Sequence, residues 1–329
     1  MARTLLRIII TVLGGAVAAV IGAALFVGLP ADMTELVGIL LTVLVAIAGV
    51  RMAYSVSDSL FPSYNVAEVA VNGPISRDSN SRPLPSSPMD PGADEIVEQI
   101  ERADAEEHVD ALLVKLNTPG GEVVPSDDIR RAIEDFDGPS IAYTTDLCAS
   151  GGYWIASGCD ELWARKGSIV GSIGVIGSRY NIADLADRLG VSYERFVAGD
   201  FKDAGSPFRE MSDEERDYLQ QRVDEFYDQF IERVAEGRDL EESFVRDTEA
   251  KVYLGEEAHK LDLVDHIGTT DDIREQLQTQ LDADEIVIEQ FEPERGFVFQ
   301  LQQSTAKVAY AFGAGVANVL SDGTRFRFR

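Results

Sequence analysis

The chain is poor in cysteine, histidine and basic side chains. Its 329 residues include two cysteines and three histidines, and 29 lysines and arginines stand against 57 aspartates and glutamates, for a formal net charge of −28. Two cysteines exclude a disulfide framework, and Cys148 and Cys159, with no histidine close by, make a poor zinc site. The acidic balance excludes an ordinary nucleic-acid binder, which needs basic surface. We expect no metal, no cofactor and no nucleic-acid partner.

Lysine is the scarcer of the two basic residues, with six in the whole chain. An acidic protein with little lysine is typical of adaptation to concentrated salt, where the Debye length falls to about 3 Å and acidic side chains repel one another little. An acidic enzyme of an ordinary habitat is the plainer alternative. Composition therefore bears on where the protein works and leaves its reaction open.

Two apolar segments open the chain. Residues 8–29 carry no charge and are long enough, as a helix, to cross a bilayer core of about 30 Å, and residues 36–54 reach that length only with a basic residue near their end. We predict one or two transmembrane helices here. Arg3 and Arg7 precede the first segment, so the positive-inside rule places both ends of a hairpin in the cytoplasm. An anchor formed by the first segment alone would place the following domain outside, and the side stays open.

Apolar strands alternate with amphipathic helices in the rest of the chain. The periodicity predicts strands at 66–71, 109–116, 140–144 and 285–289, and helices from 93, around 129–133, and at 212–237 and 270–280. Such alternation indicates a parallel α/β architecture. Ser212 and Glu215 form a capping box at the start of the longest helix, and Gly237 offers it a C-terminal stop.

These segments divide the chain into four parts. We predict a membrane anchor at 1–54, a linker at 55–64, a main domain at 65–290 and a C-terminal helix and tail at 291–329. The apolar run at 308–320 is too short to span a membrane and is more typical of a docking helix. The Ser- and Pro-rich stretch at 76–93 predicts a surface loop near the cleft.

A serine between small residues follows the third predicted strand. Ser150 is followed by two glycines and an apolar run typical of a helix. A nucleophilic serine needs a sharp turn and small neighbours, so that a carbonyl can approach and backbone N–H groups can point at the oxyanion. Gly151 and either Gly120 or Gly121 would supply these groups. Taken alone, both glycine pairs are also ordinary turn chemistry.

Ser150 needs a base, and two kinds are available. The three histidines lie away from the serine motif in sequence: His108, His259 and His266. This favours a lysine without excluding a Ser-His-Asp triad, whose members come from anywhere in a fold. Lys202 could act only if burial lowers its pKa from about 10.4. Asp200 and Asp203 oppose this unless they point away or are screened by salt.

Four short motifs follow one another along the chain. They are Asn-Thr-Pro-Gly-Gly at 117–121, Ala-Ser-Gly-Gly-Tyr at 149–153, Gly-Ser-Ile-Gly-Val at 171–175 and Lys-Asp-Ala-Gly-Ser-Pro at 202–207. In this order they resemble the signal peptide peptidase A family of membrane-bound serine–lysine peptidases, over about residues 66–268. Thr118, where the family usually has serine, and Asp262, where it has glycine, depart from the pattern.

The resemblance implies a ClpP/crotonase-like spiral of strand-strand-helix repeats, a step that periodicity alone does not give. It implies Ser150 as nucleophile and Lys202 as general base, with Ser172 or Ser168 orienting the lysine amine. It also implies a membrane-anchored homo-oligomer, contact with lipid, and cleavage of apolar peptides such as cleaved signal peptides. It further implies that a neighbouring subunit can supply Lys202. Together with the acidic composition, the resemblance predicts a haloarchaeal source for the chain.

Two other functions stay open. One is a ClpP-like Ser-His-Asp peptidase or a crotonase-like acyl-CoA enzyme on the same fold. Such an enzyme would lose activity when a histidine is replaced, or it would bind CoA. An inactive membrane scaffold would tolerate Ser150→Ala without consequence.

Overall fold

The computed structural model describes residues 2–26, 41–53, 64–78 and 91–293. Within them, strands are β1 (Val66–Asn72), β2 (Ala111–Thr118), β3 (Ser140–Ala149), β4 (Glu161–Ala164), β5 (Ile169–Gly171), β6 (Val252–Leu254), β7 (His266–Ile267) and β8 (Ile288–Gln290). The helices are α1 (Ala2–Phe26), α2 (residues 41–53), α3 (Ala93–Asp104), α4 (Val123–Glu134), α5 (Gly151–Ala156), α6 (Ala183–Arg188), α7 (Asp213–Arg238), α8 (Glu242–Asp247), α9 (Gly255–Lys260) and α10 (Thr270–Gln280).

The strands form one sheet in the order β6-β5-β3-β2-β1-β8, and β4 pairs with β3 and β7 beside this path. The pair β5–β6 is antiparallel and the other pairs are parallel. A parallel sheet has both faces covered, so its central strands are apolar along most of their length, as β2 is. The predicted α/β class is confirmed, and the parallel sheet is consistent with a ClpP-like architecture.

Strand β2 serves two apolar clusters, one on each face of the sheet. Leu112, Val114 and Leu116 belong to the main cluster, together with buried side chains of α3, α4, α5 and α7. Ala111 and Leu113 belong to a second cluster, under α10. The alternation follows from the two-residue period of a strand. The sheet is therefore held from both sides.

Strand β3 is longer than its predicted range of 140–144 because it changes partner. It pairs first with β4 and then with β5. On its other side Leu116 faces Thr144, whereas Thr118 faces Cys148, so β3 advances farther than β2 between the two pairs. Such an irregularity bends a strand and re-aims its end. The last residues of β3 thereby come to lie against the last residue of β2, where the Pro-Gly-Gly loop starts.

The capping box predicted for α7 is confirmed. Ser212 Oγ accepts the Glu215 N–H at 3.2 Å, and the Glu215 carboxylate accepts the Ser212 N–H at 3.0 Å. The predicted stop at Gly237 is wrong: the helix continues past it, and Asp239 takes the left-handed conformation with φ 51°. A methyl group on Gly237 would overlap the carbonyl oxygen of Ser157, so this glycine permits close contact between helices.

Helices α1 and α2 pack antiparallel along a line of small residues. The contacts pair residues 14 with 53, 15 with 50, 18 with 49 and 22 with 42. Thr42 Oγ1 also donates to the Gly22 carbonyl at 3.1 Å. Among the described residues, no helix has the length and apolar character needed to cross a membrane.

The two predicted transmembrane helices are therefore not found in this part of the chain. Residues 27–40, which hold the end of the first predicted segment and the start of the second, lie outside the described residues. The predicted linker at 55–64 except Tyr64, most of the predicted loop at 76–93 and the predicted helix at 308–320 lie outside them as well. The predicted strand at 285–289 begins later, as β8.

Candidate active site

Ser150 occupies a strained turn between β3 and α5. Its φ is 53° and its ψ −121°, a region that residues other than glycine seldom adopt. Its N–H donates to the Gly171 carbonyl at 3.0 Å, and its carbonyl accepts the N–H groups of Tyr153 and Trp154 at 2.8 and 3.0 Å. The backbone is thus fixed from the strand side and the helix side. A strand, a sharp turn and a helix are a typical setting for a nucleophile.

The loop after β2 lies directly on this turn. Gly120 has φ 93°, and a methyl group on it would lie 2.5 Å from the Gly151 nitrogen and 2.8 Å from Ser150 Cβ. A methyl group on Gly151 would lie 3.1 Å from the Gly121 nitrogen and 2.6 Å from Ser126 Oγ. Side chains at either glycine would force the two segments apart. The structure therefore brings together Ser150 and the three glycines predicted for the oxyanion hole.

The three N–H groups of these glycines differ in their partners. The Gly120 N–H donates to Thr118 Oγ1 at 3.0 Å. No described residue accepts a hydrogen bond from the N–H of Gly121 or of Gly151. Gly151 is the first residue of α5, where a helix leaves its N–H groups unpaired. Two unpaired N–H groups on neighbouring segments beside a serine are what an oxyanion hole needs.

The loop is fastened from outside by the segment that follows β1. Ile75 donates its N–H to the Gly120 carbonyl at 2.9 Å, and its carbonyl accepts the Glu122 N–H at 3.0 Å. The Glu122 carboxylate accepts the Arg77 N–H at 3.3 Å. This support could not be predicted from the sequence, because contacts between residues 75 and 121 depend on the sheet order and leave no local pattern.

Ser172 lies beside the nucleophile turn. Gly171 pairs with Ala149 in the ladder between β5 and β3. Ser172 has φ 52°, close to the value of Ser150, and its N–H donates to the Lys251 carbonyl at 2.8 Å. Its side chain is half-buried. Two serines with positive φ therefore occupy adjacent positions at the ends of neighbouring strands.

Ser168 is placed differently. It is fully buried, and its Oγ accepts the Arg165 N–H at 3.0 Å. The same oxygen lies 3.1 Å from the Thr144 carbonyl and 2.8 Å from the Thr145 carbonyl, where its proton is donated. All hydrogen bonds of its hydroxyl are thus made with backbone groups, at the point where β3 changes partner.

Lys202 is exposed within its own chain. It lies in a turn in which its N–H donates to the Gly199 carbonyl at 3.1 Å. Phe201, expected to form part of an apolar wall, packs instead against Tyr218 with ring centres 4.9 Å apart and is itself exposed. The described residues of one chain therefore do not bury the amine or bring it to Ser150.

Asp203 pairs with arginines. Its carboxylate accepts hydrogen bonds from Arg209 at 3.0 Å and makes an ion pair with Arg195 at 2.7 Å. Arg209 also grips Glu215, in the first turn of α7. Hydrogen bonds from Arg209 lower the pKa of Asp203 and lower that of Glu215 to about 2. Asp203, predicted to oppose a neutral lysine unless turned away, thus has its charge balanced by two arginines.

The segment between β5 and α7 exposes many large apolar side chains. They include Ile176, Tyr180, Leu185, Leu189, Phe196, Phe201 and Phe208. The most exposed of them, Phe196, has 92% of its surface accessible. Large exposed apolar surfaces mark interaction sites in soluble domains.

Comparison with known proteins places the chain. A profile described as peptidase family S49 matches residues 133–284. A protein of Methanocaldococcus jannaschii named as a protease is 36% identical over 230 residues, which cover 68% of this chain and 72% of the relative. The chain belongs to peptidase family S49. Membership implies protease activity, and the matched segment contains Ser150, Ser172 and Lys202.

Two further relatives of this S49 peptidase agree. A protein of a Synechocystis species named as a protease is 36% identical over 196 residues, or 58% of this chain and 71% of the relative. A protein of Enterococcus faecium named as a signal peptide peptidase is 33% identical over 204 residues, or 60% of this chain and 59% of the relative. The S49 family also agrees with the resemblance given by the four sequence motifs.

The histidines of the peptidase are engaged elsewhere. Their partners are Glu106 at 3.1 Å for His108, the Val264 carbonyl at 2.9 Å for His259 and Glu161 at 3.5 Å for His266. Within the described part of the chain, no hydrogen bond joins any of them to Ser150. This arrangement favours a base other than histidine.

A buried ion pair of the S49 peptidase joins the end of α7 to the segment between α9 and β7. Arg238, at the end of α7, is buried and pairs with Asp265. The Asp265 carboxylate also accepts a backbone N–H of β4 at 2.6 Å. Cys148 and Cys159 are free and buried, as predicted for apolar filler, and burial raises the pKa of both thiols. Protonated thiols of this kind are inert.

Proposed function

We propose that this S49 peptidase is a serine endopeptidase with Ser150 as nucleophile and Lys202 as general base. The observation that carries the proposal is the strained Ser150 turn, with positive φ, and the unpaired N–H groups of Gly121 and Gly151 beside it. The engagement of all three histidines elsewhere supports lysine as the base. Peptides are the substrates, and neither metal nor cofactor enters the reaction.

The reaction follows from these positions. Lys202 Nζ takes the proton of Ser150 Oγ, which attacks the scissile carbonyl carbon. The oxyanion accepts hydrogen bonds from Gly121 and Gly151, whereas Gly120, already bonded to Thr118, shapes the loop. The lysine then protonates the leaving amine and afterwards takes a proton from the water that hydrolyses the acyl-enzyme.

A second copy of the chain completes this site. Lys202 is exposed, and the exposed apolar side chains between β5 and α7 lie in the same part of the sequence. A neighbouring subunit that covers them would remove the amine from water, which favours its neutral form. Lys202 of one subunit then serves Ser150 of the next. Ser172, beside Ser150, orients the amine, and Ser168 keeps its backbone role.

The dyad predicts a specific pattern of losses. Ser150→Ala and Lys202→Ala should each lower kcat/KM by roughly a thousandfold or more, because the nucleophile or its base is gone. Replacement of all three histidines by alanine should leave most activity. Cleavage is measured with an apolar peptide in high salt. Activity that survives Lys202→Ala and disappears with the histidines would refute lysine as the base.

Mixing tests the shared site. Ser150→Ala subunits keep Lys202, and Lys202→Ala subunits keep Ser150, so mixed oligomers should regain part of the wild-type rate. Each variant alone should stay inactive at the same protein concentration. Mixed oligomers that assemble, as shown by exchange of a fluorescent label, and yet stay inactive would place both residues in one chain.

The hairpin of α1 and α2 holds the peptidase at a membrane in this proposal, near apolar peptides such as cleaved signal peptides. Glycine and alanine residues of the two helices lie at their contact, and several large side chains are exposed: Val12, Leu13, Val17, Val20, Val43 and Leu44. Exposed apolar helix surface of this kind is stabilised by lipid.

Flotation with lipid vesicles checks this role. The full chain should float, and Val12→Glu/Val20→Glu should float several-fold less. Val124→Glu is the control, since Val124 is similarly exposed on α4. Equal flotation of all three proteins would count against the hairpin as the membrane contact.

A further inference from the structure

Thr118 is buried at the base of the loop that lies on Ser150. It is the last residue of β2, has no accessible surface and pairs with Cys148 across the irregular part of the ladder. It therefore stands beside the strand that leads into the nucleophile turn. A buried hydroxyl in such a place needs a partner, because burial removes its hydrogen bonds to water.

The hydroxyl oxygen of Thr118 holds one end of the glycine loop. It accepts the Gly120 N–H at 3.0 Å. The Gly120 carbonyl in turn accepts the Ile75 N–H at 2.9 Å from outside. In a planar trans peptide the carbonyl and the following N–H point in opposite directions. The Gly121 N–H therefore points away from Ile75, and its nitrogen lies close to Gly151.

The methyl group of Thr118 contacts the other side of the site. A methyl group built on Gly152 would lie 2.6 Å from Thr118 Cγ2, so the threonine methyl rests on the first turn of α5. A β-branched side chain has few χ1 rotamers, and this contact selects one of them. The rotamer in turn aims Oγ1 at the Gly120 N–H. One side chain thus contacts both backbone segments that carry the unpaired N–H groups.

We propose that Thr118 is a positioning residue for the oxyanion hole, an inference that rests on the proposed serine peptidase function. Its hydroxyl fixes the peptide between Pro119 and Gly120, directly before the peptide that carries the Gly121 N–H, and its methyl group sets the distance from the loop to α5. Loss of the hydroxyl frees the Gly120 N–H, and the loop then turns so that the Gly121 N–H leaves the oxyanion position.

Two matched pairs of variants test the hydroxyl. Thr118→Val keeps the shape of threonine and removes the acceptor, and Thr118→Ala differs from Thr118→Ser by one oxygen. The full chain is assayed for peptide cleavage and for inhibition by a peptide aldehyde, whose adduct with serine resembles the oxyanion intermediate. We expect Thr118→Val to lower kcat about 10- to 100-fold with little change in KM. Aldehyde affinity should fall by a similar factor.

Thr118→Ser should stay within about fivefold of the wild type, and Thr118→Ala should resemble Thr118→Val. A residue that only supported the fold would shift the melting temperature without separating kcat from KM. Equal kcat and aldehyde affinity within either pair would overturn the proposal, so a variant that fails to fold leaves the other pair decisive. Failure of the peptidase function itself looks different: Ser150→Ala would then cleave like the wild type, and the role of Thr118 would fall with it.

Discussion

Arg209 makes several of the contacts that hold the Lys202 turn. It bonds the Asp203 carboxylate and carbonyl and reaches Glu215 in the first turn of α7. The Glu215 carboxylate also accepts the Ser212 N–H. One acidic group therefore binds both Arg209, which holds the turn, and the backbone at the start of the helix. The position of Lys202 therefore depends on a carboxylate thirteen residues away, which must be ionised to accept these bonds.

Glu215 gives this contact a pH dependence. Its pKa is lowered from the usual 4.5 to about 2, first by the hydrogen bond from Arg209. A lowered pKa contributes stability that is present above pH 4.5 and is lost as the pH falls towards 2. In urea unfolding across this range, Glu215→Gln should start from a lower midpoint and decline less steeply than the wild type.

Glu232→Gln is the control, because Glu232 is an exposed carboxylate on the same helix. Its urea midpoints should follow the wild type at every pH. Parallel declines of Glu215→Gln and of the control would count against the special role of Glu215.

At the scale of elements, α7 joins the Lys202 turn to the nucleophile helix. Its first turn is fastened by Arg209, and near its other end Phe230 packs on Trp154 of α5 with ring centres 4.9 Å apart. Gly237 then lies against the Ser157 carbonyl, and Arg238 pairs with Asp265. The helix is thus anchored through contacts that differ in kind at its two ends.

The substitution Gly237→Ala compares the effect of helix propensity on stability with the effect of packing between helices. Helix propensity favours alanine by about 1 kcal/mol, but the added methyl group overlaps the Ser157 carbonyl oxygen and must push the helices apart. Overpacking of this kind costs about 1 to 3 kcal/mol, so after the gain in helix propensity we expect a net loss of up to about 2 kcal/mol in unfolding free energy. Denaturant unfolding measures it.

Gly167→Ala is the matched control, since a methyl group there meets nothing within 4 Å. It should change stability by less than about 0.5 kcal/mol. Stabilisation by Gly237→Ala would mean that α7 and α5 are farther apart than the structure has them.

Local patterns predicted elements whose signals are short in range. The box of Ser212 and Glu215 predicted the start of α7, and the period of the apolar residues predicted α10 at 270–280, which is confirmed. Gly237 misled, because glycine serves equally as a helix stop and as a point of close contact. Only the position of Ser157 in the fold decides between them.

The parts of the site that lie within short sequence motifs were predictable. Ser150 and its glycines lie in two short motifs, and the structure brings them together. The contact of Ile75 could not be predicted, since it depends on the order of β1 and β2. The hydrogen bond of the Thr118 hydroxyl spans only two residues, so its signal was local and was missed. The place of Lys202 relative to Ser150 stays a prediction, because it depends on contacts beyond one chain.

At the scale of the whole molecule, the net charge of −28 is the dominant electrostatic property. Like charges on one surface repel each other and destabilise a compact fold. About 1 M salt shortens the Debye length to about 3 Å, which removes most of this repulsion. We propose on this basis that the peptidase is adapted to concentrated salt.

Salt should therefore raise stability. The urea midpoint should increase from about 0.1 to 2 M sodium chloride, and cleavage activity should increase with it. Sodium chloride is preferred to sulfate, because sulfate strengthens apolar burial in any protein. A midpoint that stays flat or falls across this range would mark an acidic enzyme of an ordinary habitat.

A continuous helix of the length of α7, about 39 Å, is stiff along its axis. In the proposed assembly, one end of it stands behind a subunit's own serine and the other end carries the lysine turn that serves the neighbouring serine. Each copy of this helix then contacts two active sites of the oligomer, one in its own subunit and one in the next. Acylation at one site would shift the lysine turn at the next site and change its activity. The dependence of rate on substrate concentration would then have a Hill coefficient different from one.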